Sequence, residues 1–298
     1  MSLIKNLLIA IRPKQWTKNL LLFAGIIFSG HFLDVNLLIR SFGGFVIFCL
    51  LSGAVYLIND IYDINSDRAH PIKKNRPIAS GVLPVPAALS FAILFSIISI
   101  IASFYFNYYF GLCALIYFCT FTAYSLLLKH FVIIDIMVVA IGFVIRAIAG
   151  VQSIRTPGLE IEMTPWFIIC TMFLALFISI CKRRHEIILL DSQASNHRPV
   201  LDEYSTAFLD QMVAVTTSAT VISYGLWATL SKISGEHRGW LVYTFPFVIY
   251  GVFRYLYFTY KKEEGGAPEE ILLKDKLLLG NIFLWLASIF IILYFGKK

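Results

Sequence analysis

Charged residues are scarce in this sequence, and their scarcity excludes disordered proteins and most soluble ones. Only 14% of the 298 residues are charged, whereas 58% are hydrophobic, which departs from the composition of an ordinary globular domain. Polar stretches long enough to link separate soluble domains are also lacking. Apolar runs near the length needed to cross a bilayer recur along the chain. The sequence therefore predicts an integral membrane protein.

The apolar runs are uninterrupted, as in membrane helices, and do not alternate as in a membrane barrel. We predict an all-α fold, a polytopic membrane bundle of about nine transmembrane helices that forms one catalytic domain, 1–298. The predicted spans are 19–33, 41–60, 86–105, 108–127, 132–150, 165–181, 207–230, 240–260 and 277–295. The predicted polar loops are about 61–85 and 182–206.

Residues 1–18 lack the small-residue cleavage site of a signal peptide, and Arg12-Pro13 interrupts their short apolar stretch. They predict an interfacial segment instead. Loop Lys and Arg residues number 17 on the side of the N-terminus and 6 on the other. This bias predicts a cytoplasmic N-terminus. We expect a prokaryotic cytoplasmic (inner) membrane, with the active site on its cytoplasmic face.

The five cysteines lack metal-ligand spacing and lie in or at the end of apolar runs, which favours a packing role. Nothing resembles a nucleic-acid-binding module, so we expect no nucleic acid partner. The net charge of +7 suits anionic lipid and phosphate partners. The sequence predicts no particular oligomeric state.

The most informative segment is 59–81, NDIYDINSDRAHPIKKNRPIASG, which follows the second apolar run. On a helix, four of its polar side chains fall within an arc of roughly 100°; they are Asn59, Asp60, Asp63 and Asp67. Such a face can hold Mg²⁺, which completes its shell with water and substrate phosphate oxygens. The phosphate partners that follow are Lys73, Lys74 and Arg76. A solvated helix end of mixed charge is the alternative, and the membrane context favours the metal site.

Five other polar side chains are candidates for the same site, and each has a plainer interpretation. Lys14 and Lys18 suit a lipid phosphate, but lysines commonly flank cytoplasmic helix ends. Tyr124 and Lys129 could line the site, or serve as an interfacial anchor and a local ion pair. Arg146 lies about three turns inside the fifth span, so it should face the bundle interior and find a partner, either substrate or structural.

The NDxxDxxxD pattern, followed by HPIKKNRPIASG and set among about nine helices, resembles the UbiA superfamily of intramembrane prenyltransferases. The resemblance implies two Asp-rich motifs, after helices two and six, that bind a polyprenyl diphosphate through Mg²⁺. This chain departs from the pattern at the second motif, where CKRRHE places Lys182, Arg183 and Glu186. With RPKQWTKN at 12–19, the KRxxE pattern is most similar to the decaprenyl-phosphate phosphoribosyltransferase branch.

The resemblance to that branch implies transfer of 5-phosphoribose from phosphoribosyl pyrophosphate to a polyprenyl phosphate lipid, with release of pyrophosphate. Mg²⁺ is the expected cofactor, with Asp60, Asp63 and Asp67 as its ligands. The expected catalytic residues are Asp60, Asp63, Lys73 and Arg76. The expected substrate-binding residues are Asn59, Asp67, Lys14, Lys18, Tyr124, Lys129, Arg146, Lys182, Arg183 and Glu186.

Within the second motif, Lys182 and Arg183 would contact phosphate oxygens directly, since ammonium and guanidinium groups need no metal for this. Glu186 would accept a ribose hydroxyl or orient Lys182. We expect the two motifs to meet in one pocket at the cytoplasmic end of the bundle.

Two other functions remain open. A UbiA-type prenyltransferase would move a polyprenyl chain from its diphosphate to an aromatic or other acceptor, and the basic CKRRHE segment argues against it. A lipid transporter or binder without catalysis would need charges along a path through the membrane. The concentration of charge at one face argues against that function.

Overall fold

The structure, a computed structural model, describes residues 3–159, 161, 163–190, 199–230, 239–262, 265–266, 268, 271 and 274–295. Apart from one isolated bridge between Thr156 and Leu159, the regular elements in these ranges are helices. The predicted all-α fold is confirmed.

The first half of the chain contains seven α-helices joined by three short 3-10 helices. The α-helices are α1 (Leu3–Ala10), α2 (Phe23–Phe28), α3 (Val35–Tyr62), α4 (Ile64–Ala69), α5 (Val85–Phe106), α6 (Tyr108–Leu126) and α7 (Ile134–Ile154). The 3-10 helices are Pro13–Leu22, Lys73–Asn75 and Leu128–His130.

The second half contains four α-helices in its described residues: α8 (Pro165–Leu190), α9 (Thr206–Leu230), α10 (Phe245–Tyr257) and α11 (Lys276–Phe295). Two 3-10 helices, Pro199–Glu203 and Trp240–Thr244, precede α9 and α10. A π-helix, Phe258–Lys262, extends α10. In the predicted loop 182–206, residues up to Leu190 continue α8, and 191–198 lie outside the described residues. Lys, Arg and Glu favour helix, which explains the longer α8.

Eight helices of the described chain are long and apolar enough to cross a membrane, and they correspond to eight of the predicted spans. The predicted span 19–33 forms the end of the 3-10 helix and the six-residue α2 instead. Since Arg12 contacts Asp60 near the C-terminal end of α3 and Asp34 caps the other end, residues 13–33 still pass from one end of α3 to the other, although not as one long α-helix. The chain is thus a multi-pass membrane protein.

The chain divides into two compact units. The first comprises 1–25, 33–138 and 145–160, and the second comprises 26–32, 139–144 and 161–298. The single catalytic domain stays a prediction.

In the first unit, α1 packs its buried Leu7 and Ala10 against Leu57 of α3 and against Ile78 and Leu83. The Asn6 side-chain amide of α1 donates to the Val82 carbonyl at 3.1 Å. The exposed face of α1 carries Leu3, Ile4, Leu8 and Ile9, as expected of an interfacial helix. Helix α1 therefore braces the loop that follows the Asp-rich segment.

In the second unit, aromatic side chains of four segments form a core around Tyr224 and Trp227 of α9. The Tyr224 hydroxyl accepts from Trp285 Nε1 at 2.8 Å and lies 2.5 Å from the Thr244 hydroxyl. Phe28 contacts Trp227 edge-on, with ring centroids 5.0 Å apart. These contacts tie α9, α11 and the Trp240–Thr244 helix together.

Two glycines allow the N-terminal segment to approach α7 backbone to backbone. A Cβ atom at Gly150 would overlap the Leu22 carbonyl, and one at Gly25 would lie 2.5 Å from the Gly150 carbonyl carbon. Since all these neighbours are main-chain atoms, a side chain could be accommodated only by moving a whole segment. The approach fixes residues 22–25 against α7.

Gly150→Ala should lower the thermal stability of the detergent-solubilised protein by more than about 2 kcal/mol, in the range of overpacked sites. Gly280→Ala is the matched control, because Gly280 also lies in a spanning helix but would have no atom within 4 Å of its Cβ. Alanine favours helix over glycine by roughly 1 kcal/mol, so the control should be neutral or stabilising. Equal unfolding midpoints for the two variants would contradict the close approach.

Candidate active site

The Asp-rich segment continues the helical path of α3 with a break at Asp63. Helix α3 ends at Tyr62, and Asp63 has φ −88° and ψ 8° before α4 begins. The amides of Asp63 and Asp67 still donate to the carbonyls four residues earlier, at 2.9 and 2.8 Å. The segment therefore keeps near-helical spacing across the break, as the sequence predicted.

Arg76 joins two buried carboxylates of this segment. Its Nη1 lies 3.2 Å from Asp60 Oδ1 and 2.6 Å from Asp67 Oδ2, and the two aspartates are only 2% and 3% exposed. Burial raises the pKa of Asp67 above its ordinary value, and Arg76 opposes the rise. Buried carboxylates need such compensation, because water no longer solvates them. The structure thus brings Asp60, Asp67 and Arg76 together.

Arg12 is a second cation at Asp60, and the sequence analysis did not assign it to the site. Its guanidinium donates to Asp60 Oδ1 and lies 4.9 Å from the centroid of the Tyr56 ring. Arg12 adopts a left-handed backbone conformation with φ 53°, which is uncommon for a residue other than glycine and indicates local strain. A basic residue before the helix-breaking Pro13 was the signal available in the sequence. No spacing rule connects position 12 to position 60.

Lys129 reaches the segment from the 3-10 helix Leu128–His130. Its ammonium group pairs with Asp63 Oδ1 and lies 5.2 Å from the Tyr62 ring centroid. Asn59 Nδ2 donates to the other oxygen, Asp63 Oδ2, at 3.1 Å. Asn59, Asp63 and Lys129 therefore form a second contact group on the same segment.

Hard divalent cations bind oxygen ligands. The segment can supply such ligands from four side chains, provided that the Asn59 amide turns its carbonyl oxygen toward the ion: Asn59, Asp60, Asp63 and Asp67. In this structure the carboxylates bind Arg12, Arg76 and Lys129. Among the described residues, no three His, Cys, Asp or Glu side chains are arranged to hold an ion. A cation that enters together with an anionic ligand would suit the site, because the three basic groups could then transfer to that ligand.

The loop after α4 is shaped by His70 and Arg68. His70 Nδ1 accepts from the backbone amides of Ile72 and Lys73, at 3.1 and 3.3 Å. Arg68 Nε donates to the Ala79 carbonyl at 3.0 Å. The charge of Lys73 lowers the pKa of Asp67, as a smaller influence than Arg76. Lys73 is therefore held within electrostatic reach of the buried carboxylate.

The other predicted residues of the first unit lie on helices outside the Asp-rich segment. Lys14 is exposed and Lys18 half-buried on the 3-10 helix Pro13–Leu22. Tyr124 is half-buried on α6, with its ring edge-on to Phe121. Arg146 is 4% exposed and faces the protein interior, as predicted, where it bonds Asn19 and Tyr117. These contacts are structural, and the role of Arg146 in substrate binding stays a prediction.

The basic segment of the second unit lies near the C-terminal end of α8. Arg183 is 5% exposed, and its Nη1 lies 2.7 Å from Glu186 Oε2, one helical turn away. Lys182 is half-buried. Glu186 thus pairs with Arg183, and its predicted role toward Lys182 or a ribose hydroxyl stays a prediction. The predicted meeting of the two motifs in one pocket stays a prediction.

Arg184, which the sequence analysis did not assign to the site, ties α8 to two neighbours. Its Nε donates to Asp210 Oδ1 of α9 at 2.6 Å. The Tyr260 hydroxyl donates to the same oxygen at 2.9 Å, and the Arg184 guanidinium lies 4.4 Å from the Tyr260 ring centroid. A Cβ at Gly266 would overlap the His185 ring, so the backbone there lies directly against α8. The basic end of α8 is therefore held on several sides.

Comparisons with known proteins agree with this architecture. Residues 20–287 match the UbiA prenyltransferase family. A decaprenyl-phosphate phosphoribosyltransferase of Mycolicibacterium smegmatis is 34% identical, over 99% of this chain and 94% of the relative. The protein of that name from Mycobacterium tuberculosis is 32% identical, over 99% and 96%. A UbiA homolog from Archaeoglobus fulgidus, solved with GPP and Mg²⁺, superposes with a TM-score of 0.72 at 20% identity, covering 97% of this chain and 99% of the homolog.

The role of His70 in the loop can be tested directly. His70→Ala should speed hydrogen exchange at the Ile72 and Lys73 amides, because both lose their acceptor. His70→Asn should keep them protected, since an asparagine oxygen accepts from amides two and three residues ahead. Exchange measured by mass spectrometry on short peptides checks both variants. Unchanged protection in His70→Ala would contradict the assignment.

Proposed function

Since the chain belongs to the UbiA prenyltransferase family, we propose that it is a membrane-bound, Mg²⁺-dependent transferase acting on phosphoribosyl pyrophosphate and a polyprenyl phosphate. It transfers 5-phosphoribose to the lipid phosphate and releases pyrophosphate. The relatives that share 32 and 34% of its residues over nearly their whole length carry the name of this activity.

The observation that carries the proposal is the basic end of α8. Where the family pattern calls for a second acidic motif, this chain has Lys182 and a pair formed by buried Arg183 and half-buried Glu186. Basic side chains there bind phosphate oxygens without a metal, and a guanidinium does so with two parallel hydrogen bonds. A donor with a 5-phosphate and a diphosphate, together with a lipid monophosphate, requires more cationic partners than a single prenyl diphosphate.

The first motif receives the donor diphosphate. Asp60, Asp63 and Asp67, with Asn59, would hold Mg²⁺, which supplies charge neutralisation of the departing pyrophosphate when bound. Arg12, Arg76 and Lys129, which contact the carboxylates in this structure, would then bind phosphate oxygens. Lys73, in the loop fixed by His70, stabilises the same leaving group.

The reaction requires no strong base, because the attacking lipid phosphate is already an anion. One of its oxygens forms a bond to the anomeric carbon of the ribose, while the bond from that carbon to the pyrophosphate oxygen breaks and its electron pair leaves with pyrophosphate. Rate enhancement then comes from positioning and electrostatic stabilisation. Lys14 and Lys18 would bind the lipid phosphate, Tyr124 and Arg146 would line the site, and Glu186 would accept a ribose hydroxyl.

The protein is proposed to lie in a prokaryotic cytoplasmic membrane with its N-terminus in the cytoplasm. The excess of Lys and Arg on the N-terminal side of the spans supports this orientation. Phosphoribosyl pyrophosphate is highly charged and water-soluble, so an active site on the cytoplasmic face would meet its donor directly from solution.

The purified protein, given Mg²⁺, phosphoribosyl pyrophosphate and polyprenyl phosphate, should form a phosphoribosylated lipid detectable by mass measurement. Asp60→Asn and Asp63→Asn should each lower turnover at least about a hundredfold, the order lost with one preorganised electrostatic partner. Asp34→Asn is a matched control on α3, because Asp34 caps the other end of that helix and asparagine caps equally well. Turnover of a prenyl diphosphate with an aromatic acceptor, without phosphoribosylation, would replace the proposal with the conventional prenyltransferase activity.

The basic end of α8 makes a separate prediction about the donor. Lys182→Ala and Arg183→Lys should each weaken phosphoribosyl pyrophosphate binding at least about tenfold, since a charge-assisted hydrogen bond contributes roughly 1.5–3 kcal/mol. Arg183→Lys keeps the positive charge that pairs with Glu186, so this variant should fold. Lys261→Ala, which alters an exposed lysine, is the control. Calorimetry that finds wild-type affinity in both test variants would remove α8 from the donor site.

A further inference from the structure

Asn19 is a fully buried amide whose hydrogen bonds tie the 3-10 helix Pro13–Leu22 to two spanning helices. Its Oδ1 accepts from Arg146 Nε of α7 at 2.7 Å. Its Nδ2 donates to Ser52 Oγ at 3.2 Å and lies 3.4 Å from Cys49 Sγ, both on α3. Both ends of the side-chain amide are thus in use, which fixes its orientation.

Arg146, the partner of Asn19, is itself held in place. Its Nη2 donates to the Tyr117 hydroxyl at 2.7 Å, and its guanidinium lies 4.8 Å from the centroid of the same ring. A buried guanidinium in a spanning helix needs such partners. Asn19 therefore bonds to a rigid group and not to a mobile surface chain.

A second fixed point lies three residues beyond Asn19. The Leu22 carbonyl lies against the backbone of Gly150, where no side chain fits. Asn19 fixes the rotation of the 3-10 helix about its axis, and Leu22 fixes its distance from α7. Together these contacts restrict rotation and sliding of the 3-10 helix.

The start of this helix carries Arg12. The Gln15 amide donates to the Arg12 carbonyl at 2.9 Å, so Arg12 is joined to the first turn. Because a 3-10 helix rises about 2.0 Å per residue, Asn19 lies roughly 14 Å from Arg12 along the helix axis. A rotation or slide of the helix would move Arg12 away from Asp60 and from the Tyr56 ring.

We propose that Asn19 is a positioning residue for the diphosphate site: it acts through the backbone of residues 13–18 to hold the Arg12 guanidinium at Asp60. The proposal rests on the proposed function, in which Arg12 binds a donor phosphate. Asn19 itself touches no substrate. Loss of the Asn19 side chain therefore weakens phosphate binding only in a protein that retains Arg12.

Binding of magnesium pyrophosphate, the leaving group of the proposed reaction, tests this by calorimetry. Asn19→Ala should weaken binding about tenfold, because its loss strands buried polar partners worth roughly 1–3 kcal/mol. In an Arg12→Gln background, Asn19→Ala should change the affinity less than about twofold. Asn19→Asp keeps an acceptor for Arg146, and Ser52 can turn its hydroxyl to donate, so this variant should restore most of the binding.

Asn107→Ala is the matched control, because Asn107 also bonds across helices of the first unit, to the Gln152 carbonyl, and caps α6. It should lower thermal stability without altering pyrophosphate affinity. Wild-type affinity in Asn19→Ala, or the same loss in both Arg12 backgrounds, would overturn the proposal.

A second measurement is independent of any ligand. Hydrogen exchange across residues 13–22 should accelerate in Asn19→Ala, including the Gln15 amide, and stay at the wild-type rate in Asn107→Ala. If Asn19→Ala does not fold, Ser52→Ala removes one of the Asn19 bonds and should give a smaller change of the same kind. Unchanged exchange would contradict the positioning role. Failure of the wild type to bind magnesium pyrophosphate would contradict the proposed function instead, and the exchange data would still decide the role of Asn19.

Discussion

The pairing of buried carboxylates with cations is the constraint on which the rest of the first unit depends. Asp60 and Asp67 are almost completely buried, and a buried carboxylate is tolerated only with a partner that replaces water. Removing one partner of such a pair typically destabilises a protein by about 3–5 kcal/mol. Arg76 must therefore return to α3 across the loop that His70 shapes, and Arg12 must be brought to it from the N-terminus.

The same pairing explains how a structural feature can serve catalysis. The three carboxylates are paired with Arg12, Arg76 and Lys129, so their charges are balanced within the protein. Under the proposed function, a metal ion with a diphosphate would offer the carboxylates a cation and the basic groups an anion. That exchange would preserve local neutrality, so no buried charge would be left uncompensated.

Sequence alone predicted the fold class and eight of the spanning helices, because an apolar run of bilayer length rarely forms anything but a spanning helix. It also predicted that Asp60 and Asp67 share a face, since that follows from helical spacing. It could not predict the contacts of Arg12 with Asp60 or of Asn19 with Arg146, because these partners lie 48 and 127 residues apart in the chain. It did not predict that Glu186 pairs with Arg183, because residues three and four apart both lie within reach on a helix and spacing alone does not select between them.

The left-handed Arg12 and its place at the start of the chain also bear on how the protein is made. Arg12 precedes Asp60 by 48 residues, and Arg76 follows Asp60 by 16. Since synthesis runs from the N-terminus and segments associate as they emerge, Arg12 is the first counter-ion available when α3 enters the bilayer. Arg76 can join only after its loop has left the ribosome. Asp60 is thus made between its two cationic partners, with Arg12 already in the chain before it and Arg76 added 16 residues after it.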